Sequence, residues 1–161
     1  MYKSEKLYYR KAFFMAIIMG VILFLPFVLI DGGYFIYYGD YNAQQIPFYT
    51  LCNQAIKNGS FMWSWQTDLG ANFIGSYSFY TLGSPFFWLS MPFPAEVAKY
   101  LMAPLLVLKI SCCSLFAFAY IRRFVRKPQS ALIGGLLYAF SGFSMYNVFF
   151  NHFHEAMVVF P

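Results

Sequence analysis

From Ala12 to Ile30 the chain carries no charged residue, and coiled as a helix that run is about 28 Å long, the depth of a bilayer's hydrocarbon core. Two further apolar runs of similar length follow, roughly Val97 to Ile121 and Ser130 to Phe150. Inside lipid every backbone N–H and C=O must find its partner within the protein, so such runs are forced into helices. Composition agrees: 60% of residues are hydrophobic and 11% charged, against about 25% charged in soluble domains. The first run ends in "LPFVLIDGG" with no small-residue cleavage site, so it is expected to stay as a helix rather than leave as a signal peptide.

Charge orients the helices. Lys3, Lys6, Arg10 and Lys11 precede the first run and Arg122, Arg123, Arg126 and Lys127 follow the second, eight of the eleven basic residues. The positive-inside tendency puts both clusters, and with them the N-terminus, in the cytoplasm. The expected organisation is a single transmembrane domain. It has spans at 12–30, 97–121 and 130–150, an outer loop at 31–96, a cytoplasmic loop at 122–129, and an outer turn with the start of a fourth helix from about Ala156 in 151–161. The uncharged stretch 73–93 is long enough to cross, but a crossing there would put the two basic clusters on opposite faces. Its Gly75, Gly83, Pro85 and Pro92 also predict short interfacial helices and turns on the outer surface. The fold class is therefore all-α integral membrane, three transmembrane helices plus interfacial helices in a long first extracytoplasmic loop. The final segment stops after about one helical turn, which predicts that a longer protein continues past Pro161.

The net charge of +5 comes from these flanking clusters, which argues against nucleic acid as a partner. Cys52, Cys112 and Cys113 show no CxxC or Cys/His spacing and read as small buried hydrophobes.

Five of the six acids, Asp31, Asp40, Asp68, Glu96 and Glu155, fall on the outer side. Asp40 stands in "YFIYYGDYNAQQIPFY", among tyrosines and the amides of Gln44 and Gln45. A carboxylate there can act as a general base toward a hydroxyl or as a ligand for a divalent cation. It can equally cap a helix starting at Tyr41, and the two roles are compatible. The "NHFHE" cluster holds His152, His154 and Glu155. In an extended segment the two histidines would point the same way and could join Glu155 and Asp40 around a metal or phosphate; the plainer reading is a polar helix end. Lys109 lies near the middle of the second run, where a charge costs about 2.5–3.5 kcal/mol. It either faces the bundle interior, for instance as counter-ion to a lipid phosphate, or snorkels to the surface.

Four stretches carry a family resemblance: "GDYNAQQIPFY", "NGSFMWSWQTDLGANFIGSYSFYTLGSPFFWLSMPFP", and the "LLVLKISCC" and "GGLLYAFSGF" helices. Their order resembles the start of the bacterial YfhO membrane-protein family, most specifically from Asp40 to Pro94. That family is similar to multi-spanning C-type glycosyltransferases. The resemblance implies transfer of a sugar from an undecaprenyl-phosphate carrier to a cell-surface polymer or lipid outside the bacterial cytoplasmic membrane, with Asp40 as the catalytic aspartate. The resemblance also places a polar cluster where His152 and His154 stand. Beside it, the chemistry of transfer from a lipid phosphate calls for a cation and a sugar-binding surface. The candidates are Lys109 with the two histidines, Gln44, Gln45, and the faces of Trp63 and Trp65, the tryptophans equally suiting a role as interface anchors. An Asp-rich metal motif is missing, so a divalent cation rests on Glu155 alone. The competing expectation is a non-enzymatic transporter or cell-envelope assembly factor in which Lys109 lines a path and Asp40 is a cap.

Overall fold

The computed structural model describes residues 2–161. Three apolar segments long enough to cross a membrane, 5–30, 95–121 and 128–159, make it an integral membrane protein of all-α class. Helix α1 (Tyr2–Ile30) and helix α5 (Ala98–Ile121) run antiparallel. Their register is set by a salt bridge from Arg122 to Glu5 (3.0 Å), by the Ser114 hydroxyl donating to the Ala12 carbonyl (3.0 Å), and by Gly20 beside Val107. Helix α5 is the central element, 67% buried over its apolar window against 17% for α1, which leaves α1 an apolar surface for lipid.

Helix α6 (Pro128–Ala139) packs back along α5. A methyl group on Gly135 would sit 2.7 Å from the Ser114 carbonyl oxygen and 3.0 Å from the Phe118 nitrogen, so the two backbones touch where α6 has no side chain.

The third run differs from the single helix expected over 130–150. Helix α6 is about 18 Å long, too short to cross about 30 Å of hydrocarbon, and the chain breaks at Phe140 and Ser141. It resumes as α7 (Gly142–Tyr146), capped by Ser141, and as a 3-10 turn Asn147–Phe153 kinked at Phe150 (φ −98°, ψ 60°). Helix α8 (His154–Val159) then runs back beside α5 and α6. The Tyr138 hydroxyl donates to the Met157 carbonyl at 3.1 Å, whereas a straight helix would hold residues 138 and 157 about 28 Å apart. The run is thus a helical hairpin whose bend lies partway along α5, and its descending arm begins at His154, two residues before the expected Ala156.

The first loop holds no helix long and apolar enough to cross a membrane. A π-helical turn Tyr41–Gln45 leads into α2 (Ile46–Lys57), and a two-residue hairpin follows, β1 (Trp63–Ser64) antiparallel to β2 (Ala71–Asn72). Next come α3 (Phe73–Tyr77), a second π-helical turn Ser78–Leu82, and α4 (Pro85–Ser90). Local chemistry sets the starts. Asn72 caps α3 by accepting from Gly75 N (2.7 Å), and Ser84 caps α4 by accepting from Phe87 N (3.1 Å), with Pro85 in the first turn, where its missing N–H costs nothing. These elements sink further than a surface layer: Phe87 and Tyr49 are buried edge to face (5.2 Å) within the core that holds Met102, Leu106 and Ile110 of α5.

Among the cysteines, all free, Cys52 and Cys113 are buried and Cys112 is half-buried. Burial pushes the Cys52 thiol up to about 11, against the opposing hydrogen bond of Thr81. Maleimide at neutral pH is expected to leave Cys52 unmodified in the folded protein and to modify it after denaturation, as peptide mass spectrometry would register.

Candidate functional site

Halfway along α5 the Lys109 side chain is completely buried. Its ammonium has three protons and three acceptors: Glu155 Oε1 at 2.9 Å, the Asn151 carbonyl at 3.2 Å and Asn151 Oδ1 at 3.3 Å. The Phe86 ring lies 5.3 Å below the charge. Lys109 therefore faces the bundle interior and does not snorkel. With every proton engaged it has none left for a lipid phosphate in this arrangement.

Glu155 is the hub. The same Oε1 accepts a hydrogen bond from the Ser84 hydroxyl, the residue that caps α4. One carboxylate thus joins α5, the hairpin and the long first loop. Among the described residues no group of three His, Cys, Asp or Glu side chains could hold a metal ion, so the cation-ligand role expected of Glu155 meets an oxygen that is already engaged. Beside it the buried Tyr49 hydroxyl has its pKa raised, first by burial and then by the Glu155 charge.

The two histidines part, because they lie on helical turns and not in the extended segment that would have aligned them. His154 is buried and its Nε2 donates to the Ser144 carbonyl at 2.7 Å, pinning the start of α8 to α7. His152 pairs with Gln45: the amide Nε2 donates to its Nδ1 at 2.8 Å, which puts the proton of the neutral ring on Nε2. Phe79 and Tyr80 meet its ring edge to face, each at 5.0 Å. Gln45 comes from the first π-helical turn and the two aromatics from the second, so both converge on one imidazole. Such turns widen a helix locally and recur at functional sites.

Asp40 precedes the first π-helical turn with helical angles (φ −65°, ψ −18°) and makes no side-chain cap bond. The N-cap reading therefore does not hold. Its half-exposed carboxylate has no hydrogen bond or salt bridge to the described residues, and it shares the electrostatic environment of His152 with Glu155 and Lys109. Gln44 is half-exposed and likewise free of hydrogen bonds to the described residues. Trp63 and Trp65 pack on each other (5.7 Å) and over Gly70 in the β1–β2 hairpin, outside the Lys109 network.

The structure thus joins Gln45 to His152 and Lys109 to Glu155, with Asp40 at the head of the turn that carries Gln45. It adds Ser84, Asn151, Tyr49 and Phe86, which sequence reasoning missed. The Ser84-Pro85 pair signals a helix start and Asn151 adjoins the histidine cluster, but neither signal names Glu155 or Lys109 as the partner. Chemically, the site offers one unengaged carboxylate, an imidazole with a donor on Nε2, and an ion pair between a fully buried lysine and a half-buried glutamate that fixes the elements carrying them.

A family model described as "Bacterial membrane protein YfhO" matches residues 12–161. No curated protein and no solved structure matches the chain.

Proposed function

The chain belongs to the bacterial YfhO membrane-protein family, and from that premise we propose that it supplies the first helices and the catalytic carboxylate of a membrane glycosyltransferase. The donor is a sugar on a polyprenyl phosphate. The acceptor is a hydroxyl of a cell-surface polymer or lipid, reached from the extracytoplasmic side, with the basic ends of α1 and α5 in the cytoplasm. The observation that carries the reading is the state of Asp40: a carboxylate uncommitted among the described residues, at the head of the turn that Gln45 ties to His152.

In this reading Asp40 takes the proton of the acceptor hydroxyl as its oxygen attacks the sugar's anomeric carbon. The bond from that carbon to the phosphate oxygen breaks, and its electron pair leaves with the lipid phosphate. His152 Nε2–H, oriented by Gln45, donates toward the charge growing on the departing phosphate. Lys109 and Glu155 act as positioning residues, holding the hairpin and Ser84 so that His152 and the first π-helical turn meet.

The test is Asp40→Asn in the full-length protein, with sugar transfer from a polyprenyl-phosphate donor measured in vesicles at matched protein levels. Asparagine keeps the size and removes the base, so transfer should fall at least about 100-fold. Undiminished transfer would refute the catalytic role and favour a transport or assembly function.

A further inference from the structure

Nine residues at 100° each put Tyr100 half a turn round α5 from Lys109, and on that opposite face α1 and α5 enclose a groove of about 530 Å³. Its walls are hydrocarbon: Val21, Leu25 and Val28 from α1, and Ala103, Val107 and Leu108 from α5. Tyr100 closes the end nearest the loop, and its ring meets Tyr34 edge to face at 5.7 Å. The Lys99 ammonium lies 5.1 Å from the centroids of both rings. Lys99 is half-buried, and among the described residues it has no carboxylate partner. Glu96, one turn earlier, is exposed and makes no ion pair with it.

A lysine parked over two tyrosines at the mouth of an apolar groove has the polarity of a lipid site, with an anion at the head and hydrocarbon below. The lining reaches from Tyr100 to Leu108 on α5 and from Ile17 to Val28 on α1, about 12 and 17 Å of helix, which is close to the depth of one leaflet. We propose that this groove binds one anionic phospholipid of the leaflet nearest the loop, its phosphate on Lys99 and the Tyr34 hydroxyl and one acyl chain along Val21, Leu25 and Val107. The site is separate from the Asp40 cluster, so it stands or falls independently of the transfer reaction.

The charge at the head selects the lipid. A single lysine near the surface favours an anionic headgroup by about fivefold over a zwitterionic one. The full-length protein, reconstituted in nanodiscs of equal phosphatidylglycerol and phosphatidylcholine and released for native mass spectrometry, should retain one phosphatidylglycerol. Lys99→Gln should lower that retention about fivefold. Val21→Trp, a change on the open lipid-facing wall, should displace the same lipid by filling the groove. Equal retention by wild type and Lys99→Gln would overturn the proposal, as would equal retention of the two lipids. A cysteine at position 25 that crosslinks to a protein segment and not to lipid would overturn it too, because that segment would then be the occupant.

Discussion

Replacing Glu155 with alanine is expected to destabilise the protein by about 3–5 kcal/mol, the usual consequence of leaving a buried charge without its partner. Lys109 is fully buried, and the alanine variant leaves its ammonium with the two Asn151 oxygens alone. Ser84 loses its acceptor at the same time. The loss is read as the temperature at which half of the purified full-length protein leaves the monodisperse peak in size-exclusion chromatography. The double variant Lys109→Met/Glu155→Leu separates charge from packing, because removing both partners of a buried pair for apolar groups of similar volume is often neutral or stabilising. It should regain most of the lost stability, yet still disturb transfer, since Asn151 and Ser84 no longer share a hub. A Glu155→Ala protein as stable as wild type would show that the pair does not hold the hairpin against α5.

The second large effect lies at the contact between α5 and α6. Gly135→Leu places a Cβ 2.7 Å from the Ser114 carbonyl oxygen and 3.0 Å from the Phe118 nitrogen. Both are backbone atoms of a buried helix, and neither can rotate away. The cost should reach or exceed the upper end of the about 1–3 kcal/mol seen for overpacked interiors. Gly134 is the control. A Cβ there meets the Ile121 Cδ1 at 2.8 Å, the tip of a flexible side chain that can move aside. Gly134→Ala should therefore be near neutral, the strain being offset by up to about 1 kcal/mol of helix propensity. The same thermal measurement reports both. Equal losses at 134 and 135 would mean that α6 is not seated on α5 as described.

The parts of the fold that were readable from sequence are those governed by local composition. Ala12 to Ile30 had to be a helix because lipid offers its backbone no partner. Gly75, Gly83, Pro85 and Pro92 ruled out one long helix over 73–93, and the region folds as α3, a π-helical turn and α4. The third run misled for the same reason: apolar composition over 130–150 is common to a spanning helix and to a hairpin packed on α5. The bend depends on the Phe150 kink and the Tyr138–Met157 hydrogen bond, and neither has a signature in composition.

The site divides in the same way. Lys109 was conspicuous because a charge in an apolar run is costly, and that cost demands a partner. Sequence could not choose among the acids. Glu155 lies 46 residues further along the chain, and only the return of α8 beside α5 brings its carboxylate to 2.9 Å. Asp40 shows the converse. Asp before a helix start is a favoured cap, but the π-helical turn begins with Asp40 already at helical angles and its carboxylate makes no cap bond.

By itself, then, the sequence determined that this chain lives in a membrane as helices, with its basic clusters together at one end, because hydrocarbon penalises every unpaired backbone group and every stranded charge. Tertiary structure alone decided that the third run folds back on itself and that Lys109 belongs to Glu155. It also decided that His152 and His154 go separate ways and that Asp40 is left uncommitted. Those outcomes depend on which surfaces meet at a distance along the chain, and side-chain pairing across such distances follows from packing geometry that no local stretch of residues encodes.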